Sequence, residues 1–174
     1  YGEFAAVPQM HMGSWYDPYA RSTTDNFVGL SRAKKAPVGL IMGPWTHGAR
    51  SVTHSGDIDL GPLSTLDRNL DQDYNHLRGR FFDRWLKGIE IGWEDEPPVR
   101  VFVMGGGSGQ RNAGGRLDHG GRWRSEQEWP LVRAKNTPYY LQPDGGLATQ
   151  VPQGIHPPSR YLFDPQHPVP TVGG

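Results

Sequence analysis

The stretch Val38-Gly39-Leu40-Ile41-Met42-Gly43-Pro44-Trp45-Thr46-His47-Gly48 sets the reading of the whole chain. Val38 to Gly43 carries no charge, the pattern of a strand buried on both faces of a parallel sheet. Gly43-Pro44 is expected to end it, since proline has no N–H to give a ladder and fixes its own φ. His47 then falls on a loop just past the carboxyl end of a central strand. Open α/β sheets place their ligand and catalytic groups there.

On the amino-terminal side, Val7-Pro8-Gln9-Met10-His11-Met12-Gly13 reads as a short strand broken at Gly13-Ser14. Trp15-Tyr16-Asp17-Pro18 is a turn, with Asp17 held extended by the proline after it. Tyr19 to roughly Lys34 fits a helix with Tyr19, Phe27 and Leu30 near one face, and Ala36-Pro37 closes it. Strand, Asp turn, helix, strand and His loop make a βαβ unit. On the other side a long loop runs from Ala49 to about Asp67. A helix is expected next, because Leu70, Tyr74, Leu77, Phe81, Trp85 and Ile89 keep one face, with Phe82 and Leu86 widening it. Asp67 or Asn69 is its expected cap and Gly88 its stop.

Glu94-Asp95-Glu96-Pro97-Pro98 changes the composition and reads as a linker over 95–98, dividing a domain 1–94 from a domain 99–174. Beyond it short strands are expected at Val99–Met104, Arg122–Trp129, Thr137–Leu141 and Arg160–Phe163, separated by glycine-rich turns. That is the pattern of a β-sandwich or jelly roll.

Lysine plus arginine and aspartate plus glutamate both number 18, so no charge excess points to nucleic acid or an anionic membrane. The apolar runs are about half the roughly 20 residues a membrane span needs. There is no cysteine, which excludes disulfides and thiolate sites and fits the cytoplasm without requiring it. Tyr1 is not an initiator methionine, and the chain is expected to be a piece of a longer protein, cut at both ends.

Asp17 and His47 each follow one of two successive parallel strands, so they are expected to meet on the same rim of the sheet. A carboxylate that accepts an imidazole Nδ1–H fixes its tautomer and stabilises the cation formed in catalysis. In α/β-hydrolases the chain order is serine, acid, histidine, and this chain supplies the last two in that order. A nucleophile is missing. Gly105-Gly106-Gly107-Ser108-Gly109 lacks the G-x-S-x-G form, is followed by no helical pattern, and is expected to be a β-turn. His11, His47, His54, Asp57 and Asp59 invite a metal reading, but no pair has helix-face i, i+4 spacing and no H-E-x-x-H occurs, so no metal and no cofactor are expected. His119 is expected in a surface turn. Trp123 and Trp129 would suit a sugar-stacking platform in a binding module, or core packing.

Gly13-Ser14-Trp15-Tyr16-Asp17-Pro18-Tyr19, Leu40–Gly48, Phe81-Phe82-Asp83-Arg84-Trp85-Leu86-Lys87-Gly88, Val99–Gly105, Trp123 through Trp129-Pro130, and Tyr161 through Gly174 occur in the order seen in one family. Across almost its whole length the chain resembles the hydrolases of cocaine esterase and X-Pro dipeptidyl-peptidase. The resemblance implies an α/β fold class: the C-terminal part of an α/β-hydrolase with a parallel sheet, followed by an all-β jelly-roll domain. It implies Asp17 as triad acid and His47 as general base, with the serine and oxyanion groups upstream of this chain. Trp15, Tyr16 and Trp45 are candidate walls of the substrate pocket. The implied partners are a small-molecule ester, amide or peptide substrate and the missing N-terminal part of the same protein. Alone, the chain is expected to be inactive, with an unpaired sheet edge next to Val38–Met42. Gly13-Ser14, where many relatives read Gly-Gly, is not expected to affect Asp17. The competing reading is a non-catalytic β-sandwich that binds carbohydrate or a protein; it requires an exposed Trp123 or Trp129 and an Asp17 far from His47.

Overall fold

The computed structural model describes residues 1–33 and 35–169, so the expected helix end at Lys34 and the last five residues of the family-like C-terminal stretch lie outside it. Among the described residues, 1–131 form one compact unit and 132–169 a second, small one.

The first unit is built on a sheet in the order β1 (Gln9–Tyr16), β2 (Val38–Thr46), β5 (Val99–Met104) and β7 (Gly121–Glu126). β1 and β2 are parallel, β2 and β5 are parallel, and β5 and β7 are antiparallel. Helix α1 (Ala20–Ala33) links β1 to β2, completing the βαβ unit. β2 is buried on both faces, as its apolar run implies. Leu40 and Met42 point to a cluster with Phe27 of α1 and with Val99 and Val101 of β5. Ile41 and Trp45 point the other way, to Leu66 and to Leu77 of helix α2 (Tyr74–Lys87).

Both strands run further than their sequence breaks imply. β1 continues through Gly13-Ser14 to Tyr16, absorbing a register shift between Ser14 and Tyr16. β2 continues through Gly43-Pro44 to Thr46. Proline is tolerated because Met42 is the last residue paired with β5, so Pro44 has no ladder bond to forfeit on that side. Gly43 is required by close approach. The Trp45 indole folds back over it, and a Cβ there would sit 2.3 Å from the ring.

The loop from Ala49 holds a hairpin of β3 (His54–Ser55) and β4 (Ile58–Asp59), extended by β6 (Leu117–Asp118). α2 starts at Tyr74, later than predicted. Residues 67–71 close a tight turn in which Arg68 N–H donates to the Asp71 carbonyl at 2.6 Å, so Leu70 stays outside the helix although it packs in the core. Asp73 is the cap instead, accepting from His76 N–H at 2.8 Å, and Gly88 in the left-handed region is the stop, as predicted. Phe82 and Leu86 do not widen a buried stripe, and Ile89, expected on it, lies past the helix end; all three are exposed. An ion-pair chain accompanies the helix: Asp71 holds His76 and Arg80, Arg80 reaches Glu96, and Glu96 reaches Arg100 at 3.3 Å.

Residues 95–98 do not separate two compact units. β5 lies directly beyond them and hydrogen-bonds to β2, whose second edge needs a partner. Among the described strands β2 is therefore paired on both sides, and the edges of this sheet are β1 and β7. Among the described residues, those from 99 onward carry strands and no helix, and β5 and β7 extend the β1–β2 sheet into a mixed one, β7 running antiparallel. The second unit contains β8 (Tyr140–Leu141) paired with β9 (Leu147–Ala148). The strand expected at Arg160–Phe163 is not one. Pro157-Pro158 and Pro165 flank it without donors for a ladder, and Tyr161, Leu162 and Phe163 are exposed.

Candidate active site

β1 ends on Tyr16, and Asp17 is the first residue past it. β2 ends on Thr46, and His47 is the first residue past that. Because Tyr16 pairs with Thr46, the two strand ends lie side by side and the side chains meet. His47 Nδ1 lies 2.8 Å from Asp17 Oδ2. The surroundings differ sharply, with the Asp17 side chain 7% exposed and that of His47 69%.

Asp17 is fixed from several sides. Tyr19 N–H donates to Oδ1 at 2.8 Å, an Asx turn that also opens α1, and Ala20 N–H donates to the Asp17 carbonyl at 3.0 Å. Burial pushes the carboxyl pKa up. The Tyr19 N–H, the hydrogen bond and charge of His47 and the Ser14 hydroxyl together outweigh it, and the pKa lies below the ordinary carboxylate value. Asp17 is therefore an anion near neutral pH and accepts the Nδ1–H. The other imidazole nitrogen, Nε2, takes no part in this contact.

A hollow of about 60 Å³ beside the pair is lined by Met12, Ser14, Asp17, Trp45, His47 and Arg50, among others. Of the three aromatic residues expected to wall a pocket, Trp45 borders it, though its ring is buried and its indole N–H donates to the Ser64 carbonyl at 2.7 Å. Trp15 is turned into the core, its N–H donating to the Phe102 carbonyl at 2.8 Å. Tyr16 packs beside Ile58, Leu60 and Phe102. Two residues that sequence reasoning left out belong here. Tyr19 sets its ring edgewise to His47, with centroids 5.4 Å apart. Ser14, buried in β1, accepts the Asp17 N–H at its carbonyl at 3.3 Å. The Asp-Pro-Tyr turn was a signal for the first; a serine inside a glycine-broken strand gave none for the second. A larger hollow, about 410 Å³, opens at the amino ends of β1 and β2 among Gln9, Val38, Trp85, Trp93 and Arg100, at the far end from Asp17 and His47.

The residues weighed as metal ligands do not converge. Among the described residues no group of three or more His, Cys, Asp or Glu side chains could hold a metal ion. His11 lies within β1, its Nε2 buried without a partner and its pKa lowered by burial. His54 faces Asp59 across the β3–β4 hairpin, and Asp59 accepts from Gly61 N–H and Asn112 Nδ2. The Gly105–Gly109 run is paired backbone: Gly107 and Gly109 N–H donate to His119 and Asp118 carbonyls, and Ser108 N–H donates to the Asp118 carboxylate. Trp123 packs on Trp45 and Phe102, and Trp129 on Trp15, so neither is the exposed platform a sugar-binding module needs.

Residues 91–169 match the X-Pro dipeptidyl-peptidase C-terminal non-catalytic domain, a match that begins close to the compositional change and leaves Asp17 and His47 outside it. Over 97% of its length the chain is 30% identical to cocaine esterase of Rhodococcus sp. (strain MB1 Bresler). A CocE/NonD family hydrolase from Staphylococcus aureus shares the fold at a TM-score of 0.50 and 20% identity over 79% of the chain. The chain spans 27% of the first of these relatives and 19% of the second. In sequence and in fold, the chain resembles the cocaine esterase / X-Pro dipeptidyl-peptidase (CocE/NonD) family of hydrolases.

Proposed function

We propose that this chain supplies the acid and the base of a serine hydrolase that cleaves ester or amide bonds, the nucleophilic serine coming from a segment of the protein outside it. The observation that carries the proposal is the 2.8 Å contact between Asp17 and His47 at the carboxyl ends of adjacent parallel strands. In this reading residues 1–94 are the last part of an α/β-hydrolase domain and those from 99 begin the non-catalytic β domain, a jelly roll in its complete form. The two share a sheet through β2 and β5.

The mechanism follows from the protonation states. His47 Nε2 takes the proton from the serine hydroxyl as its oxygen adds to the substrate carbonyl carbon. The imidazolium then gives that proton to the departing alcohol or amine as the C–O or C–N bond breaks. Water, deprotonated by the same nitrogen, releases the acyl group. Asp17 stays ionised throughout and holds the ring. The family resemblance supports esterase, acylase and X-Pro dipeptidyl-peptidase specificities alike.

The test is ester hydrolysis by the intact protein. Asp17→Asn and His47→Ala are each expected to lower turnover on the order of 10⁴-fold. Near-normal turnover in either variant would sink the proposal.

A further inference from the structure

β5 turns Val99 and Val101 to the Phe27 cluster, so Arg100 between them faces the other side of the sheet, beside Ile41. A cation on the inner face of a strand paired on both sides is costly unless its donors are met. Those of Arg100 are met only in part. Its side chain is 12% exposed, and Nη1 lies 3.3 Å from Glu96 Oε2. The guanidinium carries five N–H donors and has no other ion pair or hydrogen bond among the described residues. Glu96 is itself shared, since its other oxygen takes Arg80. Burial lowers the Arg100 pKa, Glu96 offsets part of that, and the like charge of Arg80 adds to the lowering.

Arg100 borders the hollow of about 410 Å³ at the amino ends of β1 and β2. Pockets that hold small molecules run from about 300 to 1,000 Å³. Phe81 and Trp85 of α2 give this one an aromatic wall together with Trp93, and Pro97-Pro98 add apolar surface without N–H donors. Trp93 is held in place, edge-on to Phe81 with centroids 5.6 Å apart and with the Arg80 guanidinium 5.5 Å over its ring. The acidic groups on the wall are mostly engaged. Arg84 holds Glu94, Arg80 and Arg100 hold Glu96, and Asp95 stands on the exposed rim.

We infer that this hollow is a binding site for an aromatic carboxylate: the ring lies among Phe81, Trp85 and Trp93, and the carboxylate takes the free donors of Arg100 in a two-point pair. A neutral ring would leave Arg100 unmet, and a carboxylate without a ring would leave the aromatic wall wet. Asp17 and His47 lie past the carboxyl ends of the same strands, so the inference stands apart from their proposed acid–base roles.

The experiment is isothermal titration calorimetry of the intact protein with 3-phenylpropionate, its neutral amide 3-phenylpropanamide, and acetate. One 3-phenylpropionate is expected per molecule, bound about tenfold or more tighter than the amide or acetate, as a hydrogen bond to a charged group implies. Arg100→Gln is expected to weaken it by about tenfold or more, and Arg100→Lys, which keeps the charge without the planar fork, by less. A melting curve reports whether each variant folds, and the wild-type comparison of acid with amide decides the matter if neither does. His47→Ala is expected to bind as wild type does; loss of binding there would put the ligand at the other end of the sheet and overturn the inference. Equal affinity for acid and amide, no binding of the acid up to about 10 mM, or unchanged affinity in a folded Arg100→Gln variant also overturns it. So does binding by the 174-residue chain that the intact protein lacks, because upstream residues then fill the hollow.

Discussion

Asp17 directly follows a strand, opens the turn that leads into a helix and partners an imidazole. Its pH behaviour follows from that environment. Its folded pKa lies below the ordinary 3.8, so the folded state holds the anion more firmly than the unfolded chain does. The associated stability is present in full above the unfolded value and is lost as pH falls through the folded one. Urea unfolding of wild type and Asp17→Asn should therefore show wild type ahead at about pH 6, and the gap closing below about pH 4. A gap that does not depend on pH would contradict this origin. The pairing of Asp17 with His47 was legible in the sequence, because each follows an apolar run and a turn residue. The part played by Tyr19 was not, because it acts partly through its backbone N–H, which no side-chain pattern reports.

At the scale of the element, β2 is the best-determined piece of the fold and the one where a local rule failed. Gly-Pro reads as a stop, yet the strand runs through it because Pro44 lies past the β5 pairing and Gly43 makes room for Trp45. Gly43→Ala should destabilise the chain by about 1–3 kcal/mol, since Trp45 is 1% exposed and anchored on Ser64 and cannot move aside cheaply. Chemical denaturation checks this; an unchanged midpoint would mean the indole does not need that space. α2 shows the converse. Its apolar period and its Gly88 stop were legible, while its start and its depth of burial were not. The turn at 67–71 that delays it is held by backbone and side-chain hydrogen bonds, and beyond Leu77 the apolar side is only half-buried, Phe81 packing on Trp93 while Leu86 is exposed.

For the whole molecule, composition marked a change near residue 95, and the family match begins nearby, but the sheet continues across it. A sequence shows that an apolar run needs a partner strand without showing which one it takes; β2 took β5. The small second unit is mostly irregular backbone with exposed apolar side chains, Ile155 and Leu162 among them. Chymotrypsin at low dose should cut first at Tyr161, Leu162 or Phe163, before any site in the sheet, as read by mass spectrometry of early fragments. First cuts within β1, β2 or β5 would contradict the structure. The pairing of β5 with Leu40–Met42 has a consequence for how such an enzyme would wear out. The strand that delivers His47 is propped on its far side by residues that match the X-Pro dipeptidyl-peptidase C-terminal non-catalytic domain. Under the proposed acid–base roles, heating that freed β5 from β2 would let His47 drift while β1 and α1 stayed packed on β2, so activity would be lost before the full melt.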